Sequence, residues 1–544
     1  MKRTLCLLAA VLMMVTVFAG CSKSDGDVWE SYFSTIEGSR GDKDATTSGA
    51  DSDKDSSGKD TTSKTNRGKK GDAGVTAPSD SHKQGELVVD GAGKDKNANY
   101  NVKGTVTVSI DTARVCDYQA LFDSFKKVYP NVKLKFDYFA HSGADAATEY
   151  LTTRAASGTM PDIVFNDAGP IPTYLLQGWM HPLDAFVKND SDYQQYVPNN
   201  LKNDYTYGGK LYALPLQAHF ETFQLNTDVL NALNLNKPAL DWTVKDFEDY
   251  CRKATTDKYS AQEDMGALYS LFANCYDGTS SLYGYNQQTK TFSAKGTIDS
   301  IKALKVLRSV PGLEANALKS GSGSDYAKKF GTGGWADGWV AYHKGLTLFH
   351  GLGTWEYKNK LETVTNFNWI LWTCPQAVKG RMPYHVDHSF MTSSCKDKEA
   401  AFQLLRYTTY STEGNIARLS MYDDANKGKY SLQASFYYPT TTNPKVIEKF
   451  KSLPGIKAEP VAAYLQENIG NCYRYDFVKI VPDWNNVTSG TYNSLYKAAS
   501  GADSLVEQTV NQAISSCNTK VSKAWSDFEK KLADVQKKFD QTNR

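Results

Sequence analysis

The chain has 544 residues, enough for two or more domains, and 40% of them are hydrophobic, which supports a buried core. Its 62 Lys and Arg against 60 Asp and Glu give a formal net charge of +2, which excludes an overall field that would draw it onto nucleic acid or acidic lipid. Tyrosine (33 residues) and tryptophan (10) are abundant; both line sugar-like and peptide-like interfaces and also fill ordinary cores, so composition leaves the two uses open.

The first 20 residues have the pattern of an export signal. A basic start, MKR, precedes the apolar run LCLLAAVLMMVTVF, which is too short and wrongly flanked for a good membrane span. Small residues then lead to Cys21, an order that resembles a bacterial lipoprotein signal, although Phe18 departs from its aliphatic preference. The resemblance implies a diacylglyceryl thioether on Cys21 that anchors the chain to the outer face of the cell membrane. A plain secretory signal is the alternative.

From residue 21 to residue 101 the composition predicts a disordered, lipid-anchored tether. Ser, Thr, Gly, Asp and Lys dominate, and there are too few apolar residues to bury a core. About 80 such residues span roughly 50 Å root-mean-square as a flexible coil. One stretch, VWESYFSTI, is apolar enough to contact another surface, or is only a sticky patch in the arm.

Strand and helix patterns alternate from residue 102. GTVTVSI predicts a strand, YQALFDSFKKVYP a helix that ends at Pro130, and NVKLKFDYF a second strand. TEYLTTRAASG predicts another helix, and PDIVF a strand buried on both faces. This order predicts a doubly wound α/β sheet. Ligands of such sheets bind beyond the carboxyl ends of the strands, here at residues 111–118 and 166–169.

A second unit follows. DWTVKDFEDYCRKATT predicts a helix whose capping box runs from Thr243 to Asp246. TIDSIKALKVLRSV, DKEAAFQLLRYTTYS and the lysine-rich, amphipathic C-terminal stretch predict further helices. The seven cysteines after Cys21 show no dense spacing, and we expect them mainly as small buried apolar residues.

Six stretches carry a resemblance that covers roughly residues 104–532. They are FKKVYPNVKLKF, AASGTMPDIVFND, YGGKLYALPLQAHFETFQLNTDVLNALNL, PALDWTVKDFEDYCRKA, YHKGLTLFHGLGTWEYKN and KDKEAAFQLLRYTTYSTEGN. Each is weak alone. In this order, the chain resembles the extracellular solute-binding proteins of ABC importers, in the carbohydrate branch that includes maltodextrin-binding proteins.

The resemblance implies a two-lobed clamshell of the type II periplasmic-binding-protein kind, with a doubly wound sheet in each lobe and the ligand in the cleft between them. The N-terminal lobe is expected to comprise residues 102–217 and about 388–436, and the C-terminal lobe residues 218–387 and about 437–544. The implied function is capture of a carbohydrate, an oligosaccharide in particular, for delivery to the transmembrane subunits of an ABC permease. We expect a lipid-anchored monomer without enzyme activity, cofactor, metal or nucleic-acid partner.

The resemblance and the strand ends together suggest cleft residues. In maltodextrin-binding relatives, a tryptophan at the tip of the G-x-W stretch faces the cleft, and Trp355 matches that position. His219 falls where those relatives have a carboxylate, and Glu221 is the acid that follows it. The expected ligand-binding residues are Arg114, Tyr118, Asn166, Asp167, His219, Glu221, Tyr269, Trp355, Tyr422 and Trp484.

Other roles remain open for several of these residues. Trp355 is alternatively a core anchor, whereas a phosphate loop is disfavoured because GLGTW lacks the longer glycine spacing and the lysine. Asn166 and Asp167 also suit a capping turn, and Tyr269 suits core packing. In YHVDHSF (residues 384–390), His385, Asp387 and His388 are candidate zinc ligands. On a strand, His385 and Asp387 share a face, whereas His388 points away from it. Hinge hydrogen bonds or cleft contacts are therefore favoured over a metal.

Other functions suit the same fold. A peptide, polyamine or metal chelate would use the same cleft, and a surface receptor without a transport role would keep the same clamshell. A glycoside hydrolase would need two carboxylates at a fixed separation, which a sequence does not reveal. The chain has no nucleophile elbow, metal-ligand spacing or phosphate loop to favour an enzyme.

Overall fold

The computed structural model describes residues 87–89, 93–112, 115–139, 146–167, 169–265, 268–319, 323–333, 335, 337–427 and 437–542. The signal-like segment, Cys21 and most of the expected tether lie outside these ranges, as does Arg114. Within them, no helix combines the length and the hydropathy that crossing a membrane requires.

The elements alternate between strand and helix in the first part of the chain and are mostly helical in the last. The strands are β1 (Gly104–Asp111), β2 (Val132–Phe139), β3 (Ile163–Asp167), β4 (Thr206–Tyr207), β5 (Lys210–Leu211), β6 (Leu214–Asn226), β7 (Tyr285–Asn286), β8 (Thr291–Phe292), β9 (Phe349–Gly353), β10 (Trp369–Thr373), β11 (Pro383–Met391) and β12 (Tyr473–Arg474). The helices are α1 (Val115–Val128), α2 (Ala146–Ala156), α3 (Ile171–Leu176), α4 (Asp184–Val187), α5 (Ser191–Tyr196), α6 (Asn199–Asp204), α7 (Thr227–Ala232), α8 (Val244–Ala254), α9 (Leu268–Asp277), α10 (Ala294–Arg308), α11 (Ser324–Phe330), α12 (Val340–His343), α13 (Tyr357–Thr363), α14 (Lys398–Thr409), α15 (Thr412–Ser420), α16 (Pro444–Ser452), α17 (Pro454–Ala458), α18 (Pro460–Glu467), α19 (Trp484–Val487), α20 (Thr491–Ser500) and α21 (Val506–Thr542).

One mixed sheet runs through the molecule in the order β2-β1-β3-β11-β6-β10, with β12 on β11 and β9 on β6. β1 pairs in parallel with β2 and with β3, so the predicted strand order of a doubly wound sheet is confirmed. The alternation in β1 buries Val106, Val108 and Ile110, and Phe125 on α1 is fully buried as well. This apolar layer holds the carboxyl ends of β1 and β3 at one edge of the sheet.

Strand β6 joins two lobes. Its first half pairs with β11, and its second half pairs with β9 and β10. We call the side with β1, β2 and β3 the first lobe and the side with β9 and β10 the second lobe. β11 returns the chain to the first lobe, where it pairs with β3, and a third crossing bridges β6 at Ala218 and Tyr438. Side chains on β6 and β11 therefore lie at the lobe junction.

The helices predicted for the second unit are present. α8 begins with the predicted capping box, in which Thr243 Oγ1 accepts a hydrogen bond from Asp246 N and Asp246 accepts one from Thr243 N at 2.8 Å. Its Phe247 and Cys251 are buried, as the apolar stripe predicts. Of the described cysteines, six are free and five of these are buried. Burial raises the pKa of the Cys472 thiol to about 12, in keeping with an apolar role.

Helix α21 has 37 residues and contacts both lobes. Its first half packs on α10, α20 and β8, and its last turns pack on α3 of the first lobe. There Gln536 Nε2 donates to Tyr212 Oη at 2.9 Å, and Lys210 Nζ lies 3.0 Å from a carboxylate oxygen of Asp540. The expected assignment of residues 437–544 to the C-terminal lobe alone omits these contacts.

Residues before 102, within the range expected for the tether, also contact the folded part. The Asp95 side chain is 4% exposed and accepts a hydrogen bond from the Arg406 guanidinium. Tyr100 stacks on Tyr129 with ring centroids 5.5 Å apart. Polar composition conceals this anchoring, because scattered polar and aromatic side chains, rather than an apolar run, provide it.

Candidate ligand site at the lobe junction

The candidate site is built on one face of β6 and β11. Successive side chains of a strand alternate between its faces, so Gln217, His219 and Glu221 share a face of β6. The antiparallel register places His385 opposite His219 and Asp387 opposite Gln217. Two imidazoles, two carboxylates and an amide thus converge at the point where the chain passes between lobes. We call this group the junction cluster.

Trp355 joins the junction cluster from the second lobe. It lies in a short 3-10 turn directly after β9, whose Gly353 pairs with Glu221. The half-buried indole lies edge-on to His385, with centroids 4.9 Å apart, and to His219, at 6.1 Å. A Cβ at position 353 would come within 2.2 Å of this ring. Only glycine there leaves room for the indole to lie against the backbone of the turn.

Hydrogen bonds fix the orientation of the cluster's polar groups. Glu221 Oε1 lies 2.8 Å from His385 Nε2, and Gln217 Nε2 donates to Asp387 Oδ2 at 3.0 Å. His219 Nε2 lies 4.0 Å from the same Asp387 oxygen. The side chains of His219, Glu221 and His385 are 13%, 16% and 19% exposed, so each is largely desolvated and still reachable. Polar groups held in this way bind a ligand with little further ordering.

A buried network of four charged side chains adjoins the cluster. Lys479 Nζ lies 3.0 Å from Asp387 Oδ1 and 2.8 Å from Asp476 Oδ2, and Arg474 pairs with Asp476. Burial opposes the charge on Asp476, but Arg474 and Lys479 outweigh it and hold the pKa of that carboxyl below its ordinary value. Burial likewise opposes the charge on Lys479, yet Asp476 and Asp387 raise the pKa of that ammonium. Asp476 and Lys479 are therefore charged near neutral pH.

Tyr118 and Arg418 border the cluster on the first-lobe side. Tyr118 Oη donates to Gln217 Oε1 at 3.1 Å, and Arg418 Nη2 donates to the same oxygen at 2.6 Å. The Arg418 guanidinium also lies over the rings of Tyr118 and Tyr437, at 4.7 and 3.7 Å. Of the residues predicted at the first strand-to-helix turn, Tyr118 thus meets the cluster, while Arg114 lies outside the described residues.

The other predicted residues occupy several places. Asn166, the second-last residue of β3, lies in the left-handed region at φ 52°, which Asn tolerates better than most residues, and its backbone N–H donates to Ser389 Oγ. For Asp167 and Tyr269 only the backbone is described, on β3 and α9. Tyr422 is half-buried after α15.

Trp484 does not join the cluster. Its side chain is 6% exposed, and its ring contacts those of Phe477, Tyr285 and Phe292 at centroid distances of 5.0, 5.4 and 5.7 Å. The structure therefore makes it a core residue rather than the cleft-facing aromatic that the sequence suggested. The pattern PDW does not distinguish the two, because helix α19 turns the ring inward.

Sequence reasoning missed several members of the site. The sequence did point to His385 and Asp387, because the segment YHVDHSF suggested hinge contacts. It did not point to Lys479, Asp476 or Arg418, because each reaches the cluster from a distant segment of the chain. Within the described residues, no group of three or more His, Cys, Asp or Glu side chains has an arrangement that could hold a metal ion.

The cluster offers one aromatic ring beside hydrogen-bond donors and acceptors of fixed direction. An aromatic face takes the apolar C–H side of a ligand, and carboxylates, imidazoles and amides take hydroxyl groups through short hydrogen bonds. This combination suits a polyhydroxylated ligand held between the lobes.

Comparisons with known proteins agree with this fold. The family model described as bacterial extracellular solute-binding protein matches residues 120–425. Among solved structures, a substrate-binding protein of an ABC transporter from Listeria monocytogenes, in complex with cycloalternan, is similar with a TM-score of 0.53 and 16% identity over 77% of this chain and 99% of that chain. The sugar-binding protein MalE from Xanthomonas citri is similar with a TM-score of 0.55 and 15% identity, over 80% of this chain and 100% of that chain. The cyclic alpha-maltosyl-1,6-maltose binding protein from Arthrobacter globiformis is similar with a TM-score of 0.54 and 14% identity, over 78% of this chain and 100% of that chain. The family and these structures are binding proteins, and they share the two-lobed, type II periplasmic-binding-protein-like fold.

Proposed function

Because the chain belongs to the bacterial extracellular solute-binding proteins, we propose that it captures a carbohydrate, an oligosaccharide in particular, at the junction cluster and delivers it to the permease of an ABC importer. Binding must favour a closed arrangement of the lobes over an open one, since otherwise the permease would receive no signal that the site is filled. The junction cluster can supply this preference because its parts come from both lobes.

The observation that carries the proposal is the position of Trp355. The indole is half-buried, stands on the second lobe, and lies beside the two imidazoles and Glu221 on the crossing strands. A ring fixed in this way stacks on a sugar face, while its neighbours bind the hydroxyl groups. We include Tyr118, Asn166, Asp167 and Tyr422, together with Arg114 and Tyr269, among the proposed ligand contacts.

The same proposal covers the rest of the chain. Residues 1–20 act as a lipoprotein signal, Cys21 carries the lipid that holds the monomer at the outer face of the membrane, and the polar segment after it is a tether. The lobes divide near residues 217, 387 and 436, with α21 extending over both. Metabolic labelling with a fatty acid, lost in Cys21→Ala, tests the anchor separately from ligand binding.

The first test of the function is saccharide binding by Trp355→Ala. We expect the dissociation constant for the bound saccharide to rise about 30-fold or more, because truncating a central aromatic contact costs about 2 kcal/mol or more. Calorimetric titration of the full chain with mono- and oligosaccharides, amino acids, peptides and polyamines measures this. Trp179→Ala is the matched control, since Trp179 is half-buried but packs on Tyr174 of the first lobe.

The outcomes separate the alternatives. A saccharide that binds the wild-type chain and the Trp179→Ala control equally, and Trp355→Ala weakly, supports the proposal. Binding only of a peptide or polyamine would retain the solute-binding role and overturn the carbohydrate. Saccharide binding that is unchanged in Trp355→Ala would overturn the assignment of the site.

A further inference from the structure

A cavity lies on the face of the crossing strands opposite the junction cluster. Tyr384 precedes His385 on β11, so its side chain points away from the junction cluster, and Arg474 of β12 is its partner in the sheet. Both line a cavity of about 810 Å³, within the range of about 300–1,000 Å³ that small-molecule sites occupy. We call it the rear cavity.

Both lobes form the walls of the rear cavity. The first lobe contributes the end of α6 and β4, including Asn203 and Tyr207. The second lobe contributes the turn after α9 and the β7–β8 hairpin, including Gln287 and Gln288. α21 closes one side with Trp525 and Phe528. Hydrogen bonds join the walls, among them those from Gln287 Nε2 to Asp204 Oδ1 at 2.7 Å and from Tyr207 Oη to the Ile480 carbonyl at 2.8 Å.

Most of the charge in the rear cavity is paired. Its acidic and basic lining residues are Asp204, Glu529, Lys290, Arg381 and Arg474. Arg474 Nη1 lies 3.1 Å from Asp204 Oδ2 and also pairs with Asp476 behind the wall. Lys290 Nζ lies 2.7 Å from Glu529 Oε1. Three cations against two carboxylates leave one positive charge on this wall, at Arg381, whose guanidinium lies over the Tyr473 ring at 5.3 Å. One such charge exerts no strong field, and the guanidinium donates to hydroxyl groups as well as to anions.

The remaining lining is amide, hydroxyl and aromatic. Amides of Asn and Gln present both donors and acceptors, and the hydroxyls of Thr206 and Thr279 add more at the exposed mouth. The rings of Tyr207 and Trp525 lie nearly parallel, 6.4 Å apart. The Lys290 ammonium lies 3.9 Å from the centroid of the Trp525 ring, so the aromatic wall is partly covered and the amides and hydroxyls provide most of the contacts for a ligand rich in hydroxyl groups.

We propose that the rear cavity is a second ligand site, separate from the junction cluster, which takes a neutral polyhydroxylated small molecule. The ligand touches walls from both lobes. A hinge that closes the junction face moves the rear walls apart, so a ligand bridging these walls favours the open form. This coupling rests on the proposed function. A ligand in the rear cavity and a ligand at the junction cluster each weaken the binding of the other by the same factor.

The test uses the full chain carrying Trp355→Ala, in which the junction site is weakened, with maltotriose, sucrose and sorbitol as neutral probes and glucose 6-phosphate as a charged probe. We expect saturable calorimetric binding of at least one neutral probe at millimolar concentration. Adding Asn203→Trp, which fills the mouth from the first lobe, should weaken it about tenfold or more. Asn199→Trp is the matched control, since Asn199 is exposed on the same helix but does not line the cavity.

A second variant, Gln288→Trp, blocks the mouth from the opposite wall and should act like Asn203→Trp. No saturable binding of any neutral probe, or residual binding that both tryptophan variants leave unchanged, overturns the proposal. So does binding of the charged probe alone. Failure of the proposed function looks different: saccharide binding would then be unaffected by Trp355→Ala and lost in Asn203→Trp, which leaves the rear site standing.

Discussion

Lys479 is the residue on which the buried charges at the lobe junction depend. Its ammonium lies between the carboxylates of Asp387 and Asp476, and its side chain is 11% exposed. A buried ion pair adds little stability over an apolar replacement of both partners, but loss of one partner leaves the other charge uncompensated. Here one loss removes a cation from two carboxylates: Asp476 keeps Arg474, and Asp387 also orients Gln217 in the junction cluster.

We therefore expect Lys479→Met to reduce the free energy of unfolding at neutral pH by about 3–5 kcal/mol. The pKa of Asp476 is depressed, so its contribution is complete above about pH 4 and is lost as pH falls through the folded-state pKa. The pKa of Lys479 is raised, so its contribution is complete below about pH 10 and is lost as pH rises through the folded-state pKa. Urea unfolding across this window measures the loss.

The difference between variant and wild type should shrink in acid, because protonation neutralises the two carboxylates. Lys531→Met is the control, since Lys531 is exposed on α21 and its loss should change stability by less than about 0.5 kcal/mol. Equal losses for the two variants, or a loss that does not diminish in acid, would show that the charges at the junction are not coupled as described.

Among the secondary-structure elements, the start of α7 shows how one cap can also hold a neighbouring segment. Asn226 ends β6, and its Oδ1 accepts hydrogen bonds from the first turn of α7, from Asp228 N and Val229 N at 3.0 and 3.1 Å. Its Nδ2 donates to the carbonyls of Gly345 and Thr347, which lead into β9. The side chain thus links the crossing strand to the strand that carries Trp355.

We expect Asn226→Ala to cost about 3 kcal/mol or more of unfolding free energy. Loss of a cap costs about 1 kcal/mol, and each buried carbonyl left without its donor adds about 1–3 kcal/mol. Thr243→Ala, at the exposed cap of α8, is the comparison and should cost only about 1 kcal/mol. Thermal unfolding measures both, and losses of the same size would mean that the bonds from Asn226 to the β9 segment contribute nothing.

Elements of this fold could be predicted from the sequence wherever a local pattern determines them. The alternation in GTVTVSI, the capping box of α8 and the stripe of α14 needed only neighbouring residues. The site could be predicted only in part. Trp355 sits on a glycine-dependent turn with a local signature, whereas Lys479 and Arg418 reach the cluster through packing between segments far apart in the chain. Trp484 was misplaced because nearby sequence does not specify which way a short helix turns its ring.

At the scale of the whole molecule, α21 acts as a strap behind the hinge. At about 1.5 Å per residue its 37 residues span about 55 Å, long enough to reach from the second lobe to the first. Its second-lobe half is held by Asn518, which bonds the backbone of Phe292 at 2.7 and 3.0 Å. Its far end meets the first lobe through Gln536 and through Phe539, whose ring lies edge-on to His181 at 5.2 Å.

A helix that contacts both lobes on the face of the rear cavity opposes closure of the lobes on the face of the junction cluster. If the lobes close around a ligand at the junction cluster, the rear walls separate and the far end of α21 must leave the first lobe or bend. Part of the ligand's binding energy is then used to break these contacts, and the apparent affinity falls by the fraction of molecules able to close. Removing the far end should therefore strengthen ligand binding, although it removes contacts from the folded chain.

We expect a chain that ends after Leu532 to bind its saccharide about fivefold tighter or more, which corresponds to about 1 kcal/mol. Small-angle scattering should show a larger ligand-induced compaction than in the full chain. The double variant Gln536→Ala and Phe539→Ala should reproduce the effect, and Lys537→Ala, exposed between them, should not. Weaker binding in the shortened chain, with its unfolding midpoint unchanged, would mean that α21 stabilises the closed form instead, and the rear face would then hold the lobes together rather than apart.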